Sequence, residues 1–197
     1  LHAYKTLEKS GLAKKEIKKS TFIAYAAPVA TEEEAKKIIR NVRNEHDADH
    51  NVFAYVLNSE NVYTFKYDDD GEPAGSSGRP VFRILEMKEL SNVVVVVSRY
   101  YGGVKLGLGG LARAYRETAN QAIENAGIID VREKKRMHLE FGYHDIENVN
   151  RLVSVFGTIL KTGYSDTISF DVEIDLELET VFKEKLIEAT SNRITVK

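Results

Sequence analysis

Five consecutive valines, residues 93–97, constrain this chain more than any other feature. The stretch NVVVVVSR has no polar alternation, so neither of its faces can be given to water. β-Branched residues favour a strand, and a strand apolar on both sides has to lie inside a sheet that is covered on both sides. The rest of the chain must supply that sheet and its cover.

Other segments provide candidates. STFIAYAAPV (residues 20–29) and HNVFAYVL (50–57) read as strands. NSEN (58–61) reads as a turn, and VYTFKY (62–67) returns as the hairpin partner of the second strand. Between the first two lies a helix that opens on a capping-box pattern, Thr31 followed by Glu34, with Ala35, Ile38, Ile39 and Val42 at helical spacing. VFRILEM (81–87) continues a helix whose N-terminus falls near Gly75–Ser77. GLARAYRETANQAIENAG (110–127) predicts a long helix. Its apolar stripe is Leu111, Ala114, Tyr115, Thr118, Ala119, Ala122 and Ile123, and Gly127 is its stop. The charged segment IIDVREKKRM then marks a boundary near residue 131.

Beyond it the pattern is β-α-β-β-α-β in about 65 residues, the pattern of a ferredoxin-like α/β sandwich. Its parts are a strand in MHLEFGYH, a helix over 146–161, a short strand near 162–165, the strand TISFDVEIDL, the helix ETVFKEKLIEAT and the strand RITVK. The chain therefore reads as two α+β domains, residues 1–130 and 131–197.

Composition removes several kinds of chemistry. Cysteine is absent, which excludes disulfides, thiolate nucleophiles and sulfur-ligated metals and fits a reducing cytoplasm. No apolar run approaches the roughly 18 residues of a membrane span, and the N-terminus reads as no secretory signal. Residues 1–130 carry 18 basic and 18 acidic side chains, and residues 131–197 carry 10 and 12. Any polyanion site must therefore be a local patch.

The strongest such patch follows the valine strand. SRYYGGVKLGLGGLARAYRETAN (98–120) holds Gly102, Gly103, Gly107, Gly109 and Gly110, and no acid before Glu117. A glycine-rich turn entering a helix aims unpaired N–H groups and a partial positive charge at one point. Arg99 and Lys105 lie in or beside the loop, and Arg113 and Arg116 share a face of the helix. Tyr100 and Tyr101 could stack on bases. The combination fits an anion, above all a phosphate. It equally fits tight strand-on-helix packing with solvated arginines. The spacing is neither a Walker loop nor a dinucleotide fingerprint.

Three further segments carry alternatives. DDDGEP (68–73) is either a magnesium site or a solvated turn with a helix cap. GSSG (75–78) is either a phosphate cradle or a cap; Ser76 or Ser77 as a nucleophile needs a base, for which His50 is the candidate, unless His50 is structural. KKEIKK (14–19) either touches RNA phosphates or is merely solvated. In the second domain the exposed face of the acidic DVEIDLELE is poorly suited to gripping a polyanion, which leaves REKKR (132–136) or another face as its candidate.

Taken together, DGEPAGSSGRP and NVVVVVSRYYGGVKLGLGGLARAYRETA resemble the signature region of the IMPACT/YigZ-like family, over roughly residues 15–130. The remainder resembles the second domain of bacterial members, whose fold is similar to the C-terminal domain of elongation factor G. The resemblance implies a ribosomal-protein-type, domain-2-like β-α fold for the first domain, as in elongation factor G and GHMP kinases. It also implies a cytoplasmic protein linked to translation. Eukaryotic relatives regulate a stress kinase through its activator, and bacterial ones are read as nucleic-acid or ribosome binders.

Carried onto this chain, the motif covers Asp70, Gly71, Glu72, Pro73, Gly75, Gly78 and Pro80, with Ser76 and Ser77 where Thr-Ala is usual. It continues through Arg99, Tyr100, Gly102, Gly103, Lys105, Leu106, Gly107, Gly109, Gly110, Arg113, Ala114 and Tyr115. Tyr101 stands where Phe is common, and Arg116 where a small polar residue is. The resulting expectation is a non-catalytic, cytoplasmic RNA- or ribosome-binding protein, acting through the basic glycine loop without cofactor or metal. The alternatives are a phosphate-handling enzyme and a protein-interaction module in translational stress control.

Overall fold

The computed structural model describes residues 3–59 and 62–197, so the turn expected at 58–61 falls partly outside the described residues. The chain divides into two compact units, Ala3–Val131 and Arg132–Lys197, each with its own core.

In chain order the first unit comprises β1 (Ala3–Leu7), β2 (Gly11–Ile17), β3 (Ser20–Pro28), α1 (Glu32–Glu45), β4 (His50–Ser59), β5 (Val62–Asp68), α2 (Gly78–Met87), β6 (Val93–Tyr100) and α3 (Leu108–Ala126). It closes on β7 (Ile128–Arg132), which pairs with β1 in a separate small sheet. The main sheet has the order β2-β3-β6-β4-β5 and is antiparallel throughout. The valine strand is central, as its composition demands. Because side chains alternate along a strand, Val93, Val95 and Val97 enter the core under α2 and α3, while Val94 and Val96 enter the core under α1. One strand thus serves two cores.

The helices follow from their stripes. All seven stripe residues expected on α3 are buried, and Gly127 ends the helix at φ 75°. Gly11 of β2 lets α3 lie directly on the sheet, since a Cβ there would collide with the helix backbone at Ala122 and Ala126. At α1, the Thr31 hydroxyl accepts the Glu34 N–H at 3.2 Å, and the Glu34 carboxylate reaches back to the Ala30 N–H at 2.7 Å.

β1, β2 and β7 are strands that the sequence reading did not anticipate. In β2 Gly11 and Ala13 are buried, Leu12, Lys14 and Glu16 face outward, and Lys15 lies on the inner face beside Glu117 of α3, so small inward residues and an inward lysine hide the alternation. The run KKEIKK is therefore the end of this strand and the turn after it. Lys18 and Lys19, at φ 47° and 67°, form the two-residue link to β3, the positive-φ pair that a type I′ hairpin requires.

The second unit comprises β8 (Lys134–Phe141), α4 (Ile146–Phe156), β9 (Gly157–Tyr164), β10 (Ile168–Asp175), α5 (Glu179–Ala189) and β11 (Thr195–Val196). Its antiparallel sheet has the order β11-β8-β10-β9 and buries one face against α4 and α5. The helix expected over 146–161 stops at Phe156. Gly157 begins a strand instead, packed so closely on β10 that a Cβ would collide with the Glu173 carbonyl.

On the face away from the helices, β8 and β10 set opposite charges against each other. His138 faces Asp171, Arg136 faces Glu173 and Lys134 faces Asp175, and Arg132 also reaches Asp175. The basic candidate REKKR is therefore largely paired with the acidic strand it was contrasted with.

Candidate functional site

The two signature segments meet through one carboxylate. Glu72, carried on the turn before α2, is buried, and its Oε1 accepts from Arg99 Nη1 at 2.7 Å and from the Tyr115 hydroxyl at 2.7 Å. Arg99, at the end of β6, is only 5% exposed. Its guanidinium also donates to Ser20 at 3.3 Å and lies between the rings of Phe22 and Tyr101, 5.5 and 5.1 Å from their centroids. Arg99 Nε is buried without a partner among the described residues. Burial, and then the Glu72 carboxylate, push the Tyr115 hydroxyl far above its ordinary range.

The segment around Glu72 is a scaffold of carboxylate caps. Asp69 accepts the N–H groups of Gly75, Ser77 and Gly78 and the Ser77 hydroxyl, at 2.7–3.1 Å. It thereby caps the N-terminus of α2, where Pro80 sits in the first turn and has no N–H to lose. Burial pushes the Asp69 carboxyl up, but these hydrogen bonds outweigh burial and hold it below the ordinary carboxylate range. Asp70, at φ 45°, receives the Asn51 N–H at 2.6 Å and Arg43 at 2.7 Å. Gly71 and Gly75 take positive φ, and Gly78 lies against the Asp68 backbone with no room for a Cβ. The carboxylates proposed for magnesium are thus engaged by protein donors.

His50 begins β4. Its Nδ1 is 2.8 Å from the Asp70 carbonyl, which can only accept, so Nδ1 carries a hydrogen and donates it there. Nε2 lies 3.9 Å from Glu72 Oε2. The serine–histidine alternative fails on this geometry. Ser77 gives its proton to Asp69, and Ser76 is buried with its hydroxyl unpartnered among the described residues.

The glycine stretch splits into loop and helix. Gly102 is wedged against the Lys19 backbone, where a Cβ would collide, and its N–H reaches Ser20 at 3.3 Å. Gly103 and Gly107 adopt φ 80° and 74°. Gly109 and Gly110 lie in the first turn of α3, not in the loop. Gly107 is the N-cap and has no side chain to satisfy that turn, so the leading amides of α3 stay open at an exposed end.

These pieces enclose a cleft of about 510 Å³. His50, Glu72, Arg99 and Asp49 form its polar side; Pro73, Tyr101, Leu106, Leu108 and Leu111 its apolar side; Lys105 and Gly107 its rim beside α3. The Asp49 carboxylate also accepts the Tyr101 N–H at 2.7 Å.

Several expectations change here. The loop is free of acid in sequence but not in space, because Asp49 and Glu72 reach it from elsewhere. Arg99 is neutralised by Glu72 and is no free anion ligand. Tyr100 bonds His46 at 3.0 Å, and it is Tyr101, 44% exposed, that offers a ring. Arg113 is exposed on α3 away from the cleft lining, and Arg116 borders a different groove with Lys15 and Lys88. Asp49, Leu108 and Leu111 were not among the expected site residues. Nothing local in the sequence ties Asp49 to the loop, since the bond between them spans 52 residues.

No helix among the described residues is long and apolar enough to cross a membrane. Comparison with known proteins gives two family matches in tandem, to the Impact N-terminal domain over residues 18–123 and to a domain of unknown function, DUF1949, over residues 139–193. The IMPACT family member YvyE of Bacillus subtilis is 33% identical over 199 residues, spanning 100% of this chain and 91% of that one. The IMPACT family member YigZ of Escherichia coli is 33% identical over 174 residues, spanning 87% and 85%. A crystal structure described only as a hypothetical protein superposes with a TM-score of 0.66 at 29% identity, covering 100% and 97% of the two chains. With a family match over more than half its length and relatives matched almost end to end, the chain belongs to the IMPACT family.

Proposed function

We propose that the chain is a non-catalytic, cytoplasmic RNA- or ribosome-binding protein linked to the regulation of translation, and that it grips phosphates at the α3 rim of the cleft. The observation that carries this reading is the uncapped first turn of α3, open to solvent beside the exposed Lys105. A helix N-terminus with a lysine at its edge favours a phosphate.

A second feature extends the same rim. The exposed Lys18–Lys19 turn packs on Gly102, and both lysines hold a backbone conformation that Asn-Gly would adopt at lower cost. Strain of this kind is a pointer to function. Tyr101 adds a partly exposed ring on which a base can stack. In this reading Arg99, Glu72 and Tyr115 form the support beneath the ligand, and Lys105, Lys18 and Lys19 replace Arg99, Arg113 and Arg116 as the phosphate contacts.

The finer fold assignments belong to the same proposal. The second unit's β-α-β-β-α-β order and its strand order β11-β8-β10-β9 favour a ferredoxin-like sandwich. The first unit is read as a ribosomal-protein-type β-α fold, with domains at 1–130 and 131–197. The link to translation rests on IMPACT membership.

The test is binding of a single-stranded RNA across a salt series. Wild type is expected to bind at low salt without sequence preference. Removing Lys18, Lys19 and Lys105 together should flatten the log–log salt slope by about 0.7 per lost contact. Absence of binding at low salt, or a triple variant that binds unchanged, sinks the proposal.

A further inference from the structure

A second surface, on the β5 edge of the first sheet, is unlike the rest. Every residue of β5 is exposed, although the strand reads VYTFKYD. Val62, Tyr63 and Phe65 are 62%, 53% and 50% exposed. β5 is an edge strand, so every second residue turns its N–H and C=O away from β4 toward nothing in the sheet. The opposite edge, β2, carries the charges of Lys14, Lys15 and Glu16, which discourage another strand. Along β5, Lys66 and Asp68 are the only charges, and neither is on the aromatic side.

That side is ordered. Tyr63, Phe65 and Tyr67 alternate along β5 and so share one face, the face under α2. Phe65 and Tyr67 stack on Phe82 of α2, with ring centroids 4.7 and 5.4 Å apart. The helix runs antiparallel to the strand: Gly78, at its start, lies against Asp68, and Glu86, near its end, acts electrostatically on Tyr63.

We propose that this edge pairs with the β5 edge of a second copy of the same chain, antiparallel and two-fold about Phe65, making one continuous ten-stranded sheet. The register follows from the strand itself. A two-fold at Phe65 is the one placement that pairs all seven residues, with Tyr63 opposite the partner's Tyr67 and Phe65 opposite the partner's Phe65. A shift by one residue would send the aromatic rows to opposite faces. A two-fold at Lys66 would set lysine against lysine.

Charge favours the same arrangement. The α2 end bearing Arg79 lies beside Asp68, and the end bearing Glu86 lies beside Tyr63. The two-fold brings the Glu86 end of one copy next to the Arg79 end of the other, where Arg79 would compete for a carboxylate that Arg83 holds at 3.5 Å. This inference concerns a different surface from the phosphate rim and stands or falls independently of it.

Sedimentation of the full chain tests it. A concentration-dependent dimer of the 22.2 kDa chain is expected, with β5 amides gaining protection from hydrogen exchange as the dimer forms. Phe65→Arg sets two cations face to face and should raise the dimer Kd by about 100-fold. Because Phe65 also supports Phe82, a second pair of variants leaves the aromatic stack intact. Arg79→Glu alone should weaken the dimer by about 10-fold, and Arg79→Glu with Glu86→Arg should restore it to within about threefold.

A single monomeric species up to about 1 mM overturns the proposal. So does a dimer indifferent to Phe65→Arg. A monomer whose β5 amides become protected only when a foreign extended peptide is added assigns the edge to that peptide and overturns it too.

Discussion

Glu72 accepts two hydrogen bonds on one buried oxygen, from a cation and from a phenol, and this arrangement decides how the site tolerates substitution. Arg99→Ala leaves a buried carboxylate with Tyr115 alone and should cost about 3–5 kcal/mol of folding stability. Replacing both charges by apolar residues of similar size, Arg99→Met with Glu72→Leu, should cost less than Arg99→Ala alone. Urea unfolding of the single and double variants measures the difference. Asp69 gives a pH signature. Its folded pKa lies below the unfolded value, so its charge stabilises the fold above about pH 4 and stops doing so as pH falls through the folded value. Asp69→Asn should therefore be less stable than wild type at pH 7, with the gap closing below about pH 4 in thermal melts.

At the scale of elements, the proposed RNA-binding role of the Lys18–Lys19 turn would set stability against binding. Lys18→Asn with Lys19→Gly supplies residues that accept positive φ and should raise stability by about 1 kcal/mol while weakening RNA binding. Chemical denaturation and the binding assay read the two effects separately. The elements legible in the sequence were those with a strong period or cap. The valines at 93–97 declared a strand with two cores, Leu111 through Ile123 declared one helix face, and Thr31 with Glu34 declared a start. β2 was not legible because its buried positions are Gly11 and Ala13, too small to mark a period. The helix expected over 146–161 overran because what stops it at Gly157 is a close contact with β10, remote in sequence. The site was legible in its glycines and in Glu72, but not in its charge balance. Glu72 reaches Arg99 across 27 residues, and only the folded sheet reveals that pairing.

At the scale of the molecule, two units enclose separate cores, and the cleft belongs wholly to the first. Within that unit β6 joins the core under α1 to the core under α2 and α3, and its last turn of chain delivers Arg99 to the cleft floor. Amide exchange at Val97 and Ser98 should therefore report the unfolding free energy of the first unit, whereas amides at Gly103 and Lys105 should exchange by small local openings. Native-state exchange at increasing denaturant separates the two classes.

For any ligand of the cleft, the wall that carries Arg99 is held fixed, because the valine strand ending there is locked into both cores. Admission by yielding of the floor would require undoing both cores at once. The part of the lining free to move is the rim at Lys105 and Gly107, so the Gly103–Gly107 segment should contribute most to the residence time of a bound molecule. Stiffening those few residues should slow arrival and departure together and leave the affinity nearly where it was.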